Sequence, residues 1–346
     1  MNRTILSLTI AYTIFSSGTI FSQEVDNVYY PTLKGSYLGQ KLPGNIPEVF
    51  APNIVNFGLT TRDIAISEDG KEIYFRVGLP GFSRTAILET REIDGRWTAP
   101  EVTSFSSDPR WRNLEPCLSP DGKEFFFSSN RPADPASDKP GPFNIWRVKR
   151  MANGWSEPLR LNDSINGSDG TFFPSVTKDG TLYYGREGKD GLGEIWRVKK
   201  GKDDGYLSPE KLPKQVNAGE SRYNPFVAPD ESYVILPIYG LKDTQGGMDY
   251  YIVFRNPDDT WCEPINLGST INTPTNGEIS VFVSRDSRYL FFCSSRIKEG
   301  IFSSGEKLTL KKFKEIARES GANGDLAIYW VSAEFIEKLR SENFKK

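Results

Sequence analysis

The chain contains no histidine, and that absence narrows the chemistry open to it. Imidazole acid–base catalysis, Ser-His-Asp and Cys-His nucleophiles and His-ligated zinc are all excluded. Its three cysteines, Cys117, Cys262 and Cys293, include no CxxC pair, and an odd number cannot complete a disulfide framework. Cys117 and Cys293 sit in apolar runs and read as small buried hydrophobes. Carboxylates, Tyr, Lys and Arg remain. One group of them stands out: Arg62, Asp63, Trp111, Arg112, Glu115, Phe172, Arg222, Tyr223 and Glu278. Guanidinium forks pair with carboxylates and aromatic faces stack on apolar ring surfaces. Arg62, Trp111, Arg112, Phe172, Arg222 and Tyr223 therefore form a candidate binding set for sugars or acidic groups. Catalysis by the same group would take one of two forms. Tyr223 could act as base or acid of a polysaccharide lyase, with Arg222 or Arg112 neutralising a uronate carboxylate. Alternatively, Glu115 could pair with Asp63 or Glu278 in a glycoside hydrolase. A plainer role is also open, in which Arg62/Asp63 and Arg112/Glu115 are structural ion pairs.

What groups these residues is a repeat. Five segments share one layout: residues 63–75, 115–127, 173–184, 224–236 and 281–292. Their turn aspartates, Asp69, Asp121, Asp179, Asp230 and Asp286, recur at about 50–60 residues, the spacing of propeller blades. Each copy reads as a β-hairpin. Alternating apolar residues approach an Asp-Gly turn, which supplies the positive φ of tight hairpins, and aromatic and β-branched residues follow. A third strand is clearest at Asn144–Val148 and Glu194–Val198, with 250–254 a looser copy. A fourth starts at an aromatic and a proline (Trp97…Pro100, Trp155…Pro158, Tyr206…Pro209, Trp261…Pro264). It often ends in an aliphatic-Asn pair: Ile165-Asn166, Val216-Asn217, Ile271-Asn272. Four antiparallel strands repeated radially make an all-β, single β-propeller of five four-stranded blades. A six-bladed alternative would have to hide a degenerate blade in residues 24–58, which is too short. The fifth copy lacks its outer strand, and an orphan of that strand, 46–52 followed by Asn56, precedes the first copy. The N-terminal segment is therefore expected to complete the last blade and cover an open sheet edge.

Ser119-Pro-Asp-Gly-Lys123, followed by Phe125-Phe-Phe-Ser-Ser129, resembles the WD40-like repeat of TolB-type propellers, the PD40 repeat. Pro47-Glu-Val-Phe-Ala-Pro52 is similar to the start of secreted PD40 proteins of Bacteroidetes-like bacteria. The resemblance covers residues 40–332. It departs in the fourth and fifth copies, where the turn glycine is replaced (Asp230-Glu231, Asp286-Ser287). It implies a propeller that binds or assembles outside the cytoplasm and carries no shared catalytic motif.

In such a fold the short Asp-Gly turns occupy one face. The loops joining second to third strands crowd the other: Pro80–Ser83, Asn130–Phe143, 186–193, 239–249 and 296–325. Long loops in a compact domain are where function concentrates. The last includes Leu308, Leu310, Phe313 and Ile316 at helical spacing, expected as a lid packed on the rim, a substrate gate or a partner-docking helix. Asn162, Asp163, Asn166, Asp169 and Gly170 form an oxygen-rich stretch that could hold Ca²⁺. It lacks EF-hand spacing and reads better as a turn-rich connection, so no cofactor and no metal are expected. Gly188, Gly191 and Gly193 have no strand-then-helix context for a dinucleotide.

Composition sets the compartment and the partners. Forty-three Lys and Arg against 45 Asp and Glu show no basic excess, so nucleic acid is not an expected partner. Arg3, the apolar run from Ile5 to Phe15 and Ser16-Ser-Gly18 form a secretory leader too short to span a bilayer. Cleavage is expected near Ser22 or Gln23, and no cysteine follows for a lipid anchor. The layout is then a signal peptide (1–23), an extension (24–44), the propeller (45–332) with its inserted helical loop (296–325), and a helical tail (333–346). The expected product is a periplasmic or secreted monomer, with no membrane span in the mature chain, that engages an envelope protein or a glycan.

Overall fold

The computed structural model describes residues 31–167, 170–188, 190–202, 204–274, 277–297, 307–319 and 325–344. The leader 1–23 and parts of the 296–325 loop lie outside the described residues. Five small antiparallel sheets make up a five-bladed propeller. In blade 1, Thr60–Ile66 is innermost, followed outward by Glu72–Gly78 and Thr85–Ile93. Blade 2 uses Asn113–Leu118, Glu124–Ser129 and Asn144–Met151, and blade 3 uses Thr171–Val176, Leu182–Glu187 and Gly193–Val198. In blade 4 the innermost strand is split into Ser221–Arg222 and Phe226–Val227, ahead of Tyr233–Tyr239 and Asp249–Phe254. Blade 5 is Val281–Val283, Tyr289–Ser294 and Ala327–Ser332, with Glu48–Val49 as its outer strand.

The hairpin turns are built alike. Ser67 Oγ donates to Asp69 Oδ1 at 2.6 Å, which also accepts the Lys71 N–H at 3.1 Å. Ser119 and Asp121, Thr177 and Asp179, and Ser284 and Asp286 repeat the pair. Gly70, Gly122 and Gly180 take the left-handed conformation that follows, at φ 69°, 69° and 84°. Glu231 and Ser287 adopt it too, at φ 58° and 59°. The turn thus survives loss of its glycine because the aspartate bonds hold the loop, at a modest backbone strain.

The outer strands depart from expectation. They do not start at the tryptophans as continuous strands. Trp97 and Trp155 pair at the tips of the third strands, and pairing resumes only at Glu101–Val102 and Leu159–Arg160. Pro100 and Pro158 interrupt the run because proline has no N–H to give the ladder. The asparagines that end these segments do what the broken strand cannot. Asn166 accepts the Ile145 N–H (2.8 Å) and donates to Ile145 O (2.9 Å) and Leu161 O (3.0 Å). Asn217 clasps Ile195, and Asn272 clasps Tyr250, in the same way. In blade 1, Ser106 Oγ and Thr103 Oγ1 share the task at Ile87.

In blade 5 the clamp comes from the other end of the propeller. Asn56 accepts the Ile328 N–H at 3.0 Å and donates to Ile328 O at 3.1 Å, while Phe50 N donates to Ile328 O at 2.9 Å. Glu48 and Val49 pair with Trp330 and Tyr329. The Phe50 ring packs edge-on against Phe291 at 5.0 Å, so an N-terminal strand closes the ring.

The core lies between facing blades. Tyr74, Phe105, Phe125, Phe127 and Trp155 interlock between blades 1 and 2, with centroids 4.8–6.3 Å apart. Arginines on third strands add clasps from blade to blade. Arg147 bonds Asp204 at 2.9 Å and Arg197 bonds Asp259 at 2.6 Å, both aspartates sitting in the outer turn of the next blade.

Two helices follow. α1 (Leu310–Glu319) does not bury its apolar face in the way a packed lid would, since Leu310 is 72% and Phe313 57% exposed. α2 (Glu334–Asn343) seats Ile336 in the core. No helix among the described residues is long and apolar enough to cross a membrane.

Replacing Asn56 with Ala should remove the closing clamp and leave the buried Ile328 N–H without its acceptor, while Ile328 O keeps the Phe50 N–H. We expect a loss of about 1–3 kcal/mol in urea denaturation. Hydrogen exchange should accelerate first in 48–56 and 326–332.

Candidate functional site

On the loop face, around the propeller axis, lies a cavity of about 480 Å³. Its position follows from the inner strands. Each reaches the axis at the residue six before its turn aspartate, which is Asp63, Glu115, Phe173, Asn224 or Ser280. The first four are left-handed, with φ between 46° and 60°. In blades 1–3 the pairing register shifts there. Such a break swings one backbone N–H out of the ladder and one side chain into the axis.

The broken backbone is satisfied across blades. Asp63 N donates to Ser280 Oγ at 3.3 Å, and Phe173 N donates to Glu115 Oε2 at 2.7 Å. Arg62 Nε donates to both Asp63 oxygens at 2.9 and 3.0 Å, and its Nη2 reaches Glu115 Oε1 at 3.2 Å. All three side chains are buried. Burial alone would push the Arg62 guanidinium down, but Asp63 and Glu115 raise it above its ordinary value. Burial pushes the Glu115 carboxyl up, with Arg62 pulling against it. This triad forms a plug between blades 1, 2 and 3.

The sequence-derived pairs are corrected in one respect. Arg62 and Asp63 do pair, but Glu115 bonds Arg62 and Phe173 rather than Arg112. The Arg112 guanidinium lies over the Phe143 ring at 5.1 Å. Asp63 and Glu115 share one arginine, so neither is free for an acid–base pair.

Of the binding candidates, Arg62, Arg112, Phe172 and Tyr223 line the cavity, together with Glu115. Trp111 and Arg222 do not. Trp111 is buried with Arg110 stacked on it at 4.9 Å. Arg222 donates to Asn217 O (3.0 Å) and Glu220 O (2.9 Å), tying its own loop. Glu278 is buried off the cavity, where one oxygen accepts from Thr273 (2.8 Å) and Ser294 (3.2 Å). Its Oε2 has no partner among the described residues, and burial pushes its carboxyl up to about 7.

Several lining residues were not among the candidates. Phe82, Phe143 and Met248 come from the loops between second and third strands, and Arg186 and Glu187 end a second strand. The length of those loops pointed to this face, but no pattern singled out these residues. Arg186 stacks over Trp196 at 5.4 Å and makes no ion pair among the described residues. Gly193 has a steric reason to be glycine: a Cβ there would sit 2.1 Å from Arg222 O and 2.8 Å from the Tyr223 ring. In the oxygen-rich stretch, Asn166 is spent on its clamp, Asp163 bonds Arg160 at 2.5 Å, and Asp169 lies outside the described residues. The cavity thus has aromatic walls that carry Arg112, Arg186 and Glu187.

No family model matches the sequence, and no curated protein is significantly similar to it. Among solved structures, the chain is similar to TolB from Acinetobacter baumannii at 15% identity and a TM-score of 0.47, over 80% of this chain and 57% of that one. It therefore spans little more than half of that TolB chain. It is also similar to a glycoside hydrolase (12%, TM-score 0.49, 85% of this chain and 93% of that one). A third is a chain of a nidogen/laminin complex (13%, TM-score 0.41, 64% and 69%). At such identities no residue role carries across.

Two tests address the plug and its neighbour. Arg62→Met leaves two carboxylates buried without their cation and should cost about 3–5 kcal/mol in chemical denaturation. Glu278 has a folded pKa above its ordinary value of 4.5, so the fold favours its protonated form. Its contribution to stability is full below about 4.5 and lost as pH rises through about 7. Melting temperature measured across this window should fall less in Glu278→Gln than in the wild type.

Proposed function

We propose that the protein is an exported β-propeller that binds an acidic glycan at the mouth of its axis. The observation that carries this reading is the pairing state of the cavity's arginines. Arg62 is committed to two carboxylates, whereas Arg112 and Arg186 line the same cavity with only aromatic partners among the described residues. A guanidinium stacked on a ring keeps its in-plane N–H donors free for a carboxylate or sulfate. Phe172, Phe143 and the half-open Tyr223 offer faces for sugar rings. The size of the cavity is in the range of small-molecule sites.

Binding is favoured over hydrolysis because the two carboxylates at the axis are both held by Arg62. A lyase would rest on Tyr223 alone, since no base contacts it among the described residues. Export is supported by the leader-like residues 1–23 and by the resemblance to secreted PD40 repeats. A glycan is preferred to a protein partner because the site is a concave cavity of about 480 Å³ rather than a broad flat surface.

Affinity electrophoresis and calorimetry against polygalacturonate, alginate, a sulfated glycosaminoglycan and neutral xyloglucan test this. We expect retention by at least one acidic polymer and none by the neutral one. The double variant Arg112→Ala/Arg186→Ala should weaken binding at least tenfold without lowering the melting temperature. Equal binding of acidic and neutral polymers would overturn the reading. Release of unsaturated product that stops in Tyr223→Phe would replace it with a lyase.

A further inference from the structure

Beneath the cavity wall lies a charged group that the proposed site does not use. Arg76, on the second strand of blade 1 opposite Arg62, is 1% exposed. Its Nε and Nη1 have no hydrogen-bond partner among the described residues. A buried guanidinium without acceptors is costly, because its donors have lost water and gained nothing. The nearby carboxylates do not serve it. Both Asp63 oxygens accept from Arg62, and the two Glu115 oxygens are taken by Arg62 and the Phe173 N–H. They balance the charge of Arg76 through space but leave its donors empty.

The Phe82 ring covers it. The ring lies 4.5 Å from the Arg76 guanidinium and 5.9 Å from that of Arg62, and it forms part of the cavity wall. Phe82 is a poor permanent cover. It is 38% exposed, and it holds φ at 56° directly after Gly81 at 67°. A bulky residue in that region is strained, so little holds the ring down apart from its contact with the two guanidinia. Burial and the charge of Arg62 both push Arg76 down, to about 10, which leaves it charged at neutral pH. An oxyanion placed under a lifted ring would fill the empty donors.

We propose that Arg76, covered by Phe82, is an oxyanion subsite that takes one carboxylate or sulfate group of the ligand. This rests on the acidic-glycan reading for the ligand's size but not for the subsite's chemistry. The parallel edge of the guanidinium is Nε–H with Nη2–H, which suits a carboxylate bidentately and a sulfate ester through two oxygens, and Nη1 remains as a further donor. A ligand spanning the cavity would then have its outer acid groups on Arg112 and Arg186 and its innermost one on Arg76.

The test uses the full mature chain and small anions. Acetate, sulfate and neutral acetamide are titrated at constant ionic strength while the melting temperature is followed in wild type, Phe82→Ala and Phe82→Ala/Arg76→Met. We expect a saturable rise with acetate or sulfate in Phe82→Ala, a smaller one in wild type, and none in the double variant or with acetamide. Which anion saturates first separates carboxylate from sulfate ester. Should the double variant fail to fold, Phe82→Ala/Arg76→Lys keeps the charge without the fork and should lose at least half of the shift. Identical anion responses with and without the Arg76 fork would overturn the proposal. In parallel, Arg76→Met alone should weaken binding of trigalacturonate or a sulfated trisaccharide at least tenfold while the melting temperature holds or rises. A purely structural arginine would instead lower it. If no acidic trisaccharide binds wild type while acetate or sulfate still acts through Arg76, the glycan reading falls and the subsite stands.

Discussion

The propeller depends on what happens where its inner strands meet. Strands converging on an axis cannot all continue straight, and here the chain breaks its ladder at Asp63, Glu115, Phe173 and Asn224. Each break costs on the order of 1–3 kcal/mol in backbone strain. At Asp63 and Phe173 the freed amide finds its acceptor in a neighbouring blade. Glu115 takes the Phe173 amide and Ser280 takes that of Asp63, so the strain is offset only when the blades are assembled around one another. The buried Arg62 triad follows from the same geometry. A carboxylate brought to the axis to accept an amide needs a cation, and Arg62 serves two of them.

Away from the axis, the blades are tied by side chains acting as backbone. Asn166, Asn217, Asn272 and Asn56 each supply an amide to the third strand where proline has cut the outer strand short. An amide side chain offers the same donor and acceptor as a peptide group, so the edge is satisfied without a full strand. The arrangement also covers edges that would otherwise invite pairing with another chain. Arg147 and Arg197, clasped to the outer turn of the next blade, add direction to an interface whose bulk is aromatic packing.

The cavity inherits its character from this scaffold. Its floor is the plug, in which Arg62 faces two carboxylates, and its walls come from loops and strand ends that the blades hold in place. Positive charge remains on the walls, on Arg112 and Arg186. Below them Arg76 holds unfilled donors beneath a phenylalanine in a strained turn. The scaffold spends its axial carboxylates on Arg62 and on the Phe173 amide, and the cavity walls carry arginines stacked on rings.

Much of the fold was legible in the chain itself, because it repeats. Turn aspartates at regular spacing, aromatic second strands and the orphan segment before the first copy determined five blades and their closure. Local rules act on neighbouring residues, and each copy restates them. Even the replaced glycines at Glu231 and Ser287 kept their turn, since the aspartate bonds that hold it are local too. The site was legible only in part. Aligning residues to the turns brought Arg62, Asp63 and Glu115 correctly to the axis, but the partner of Glu115 lies fifty-odd residues away in another blade, where no local pattern reaches. Trp111 and Arg222 were adjacent in sequence to lining residues yet turned away, and Phe82, Phe143, Arg186 and Met248 came from loops without a periodic signature. Which arginines are paired and which are left bare was decided by tertiary structure alone. Pairing is a matter of distance between strands that the chain brings together only when the ring is closed.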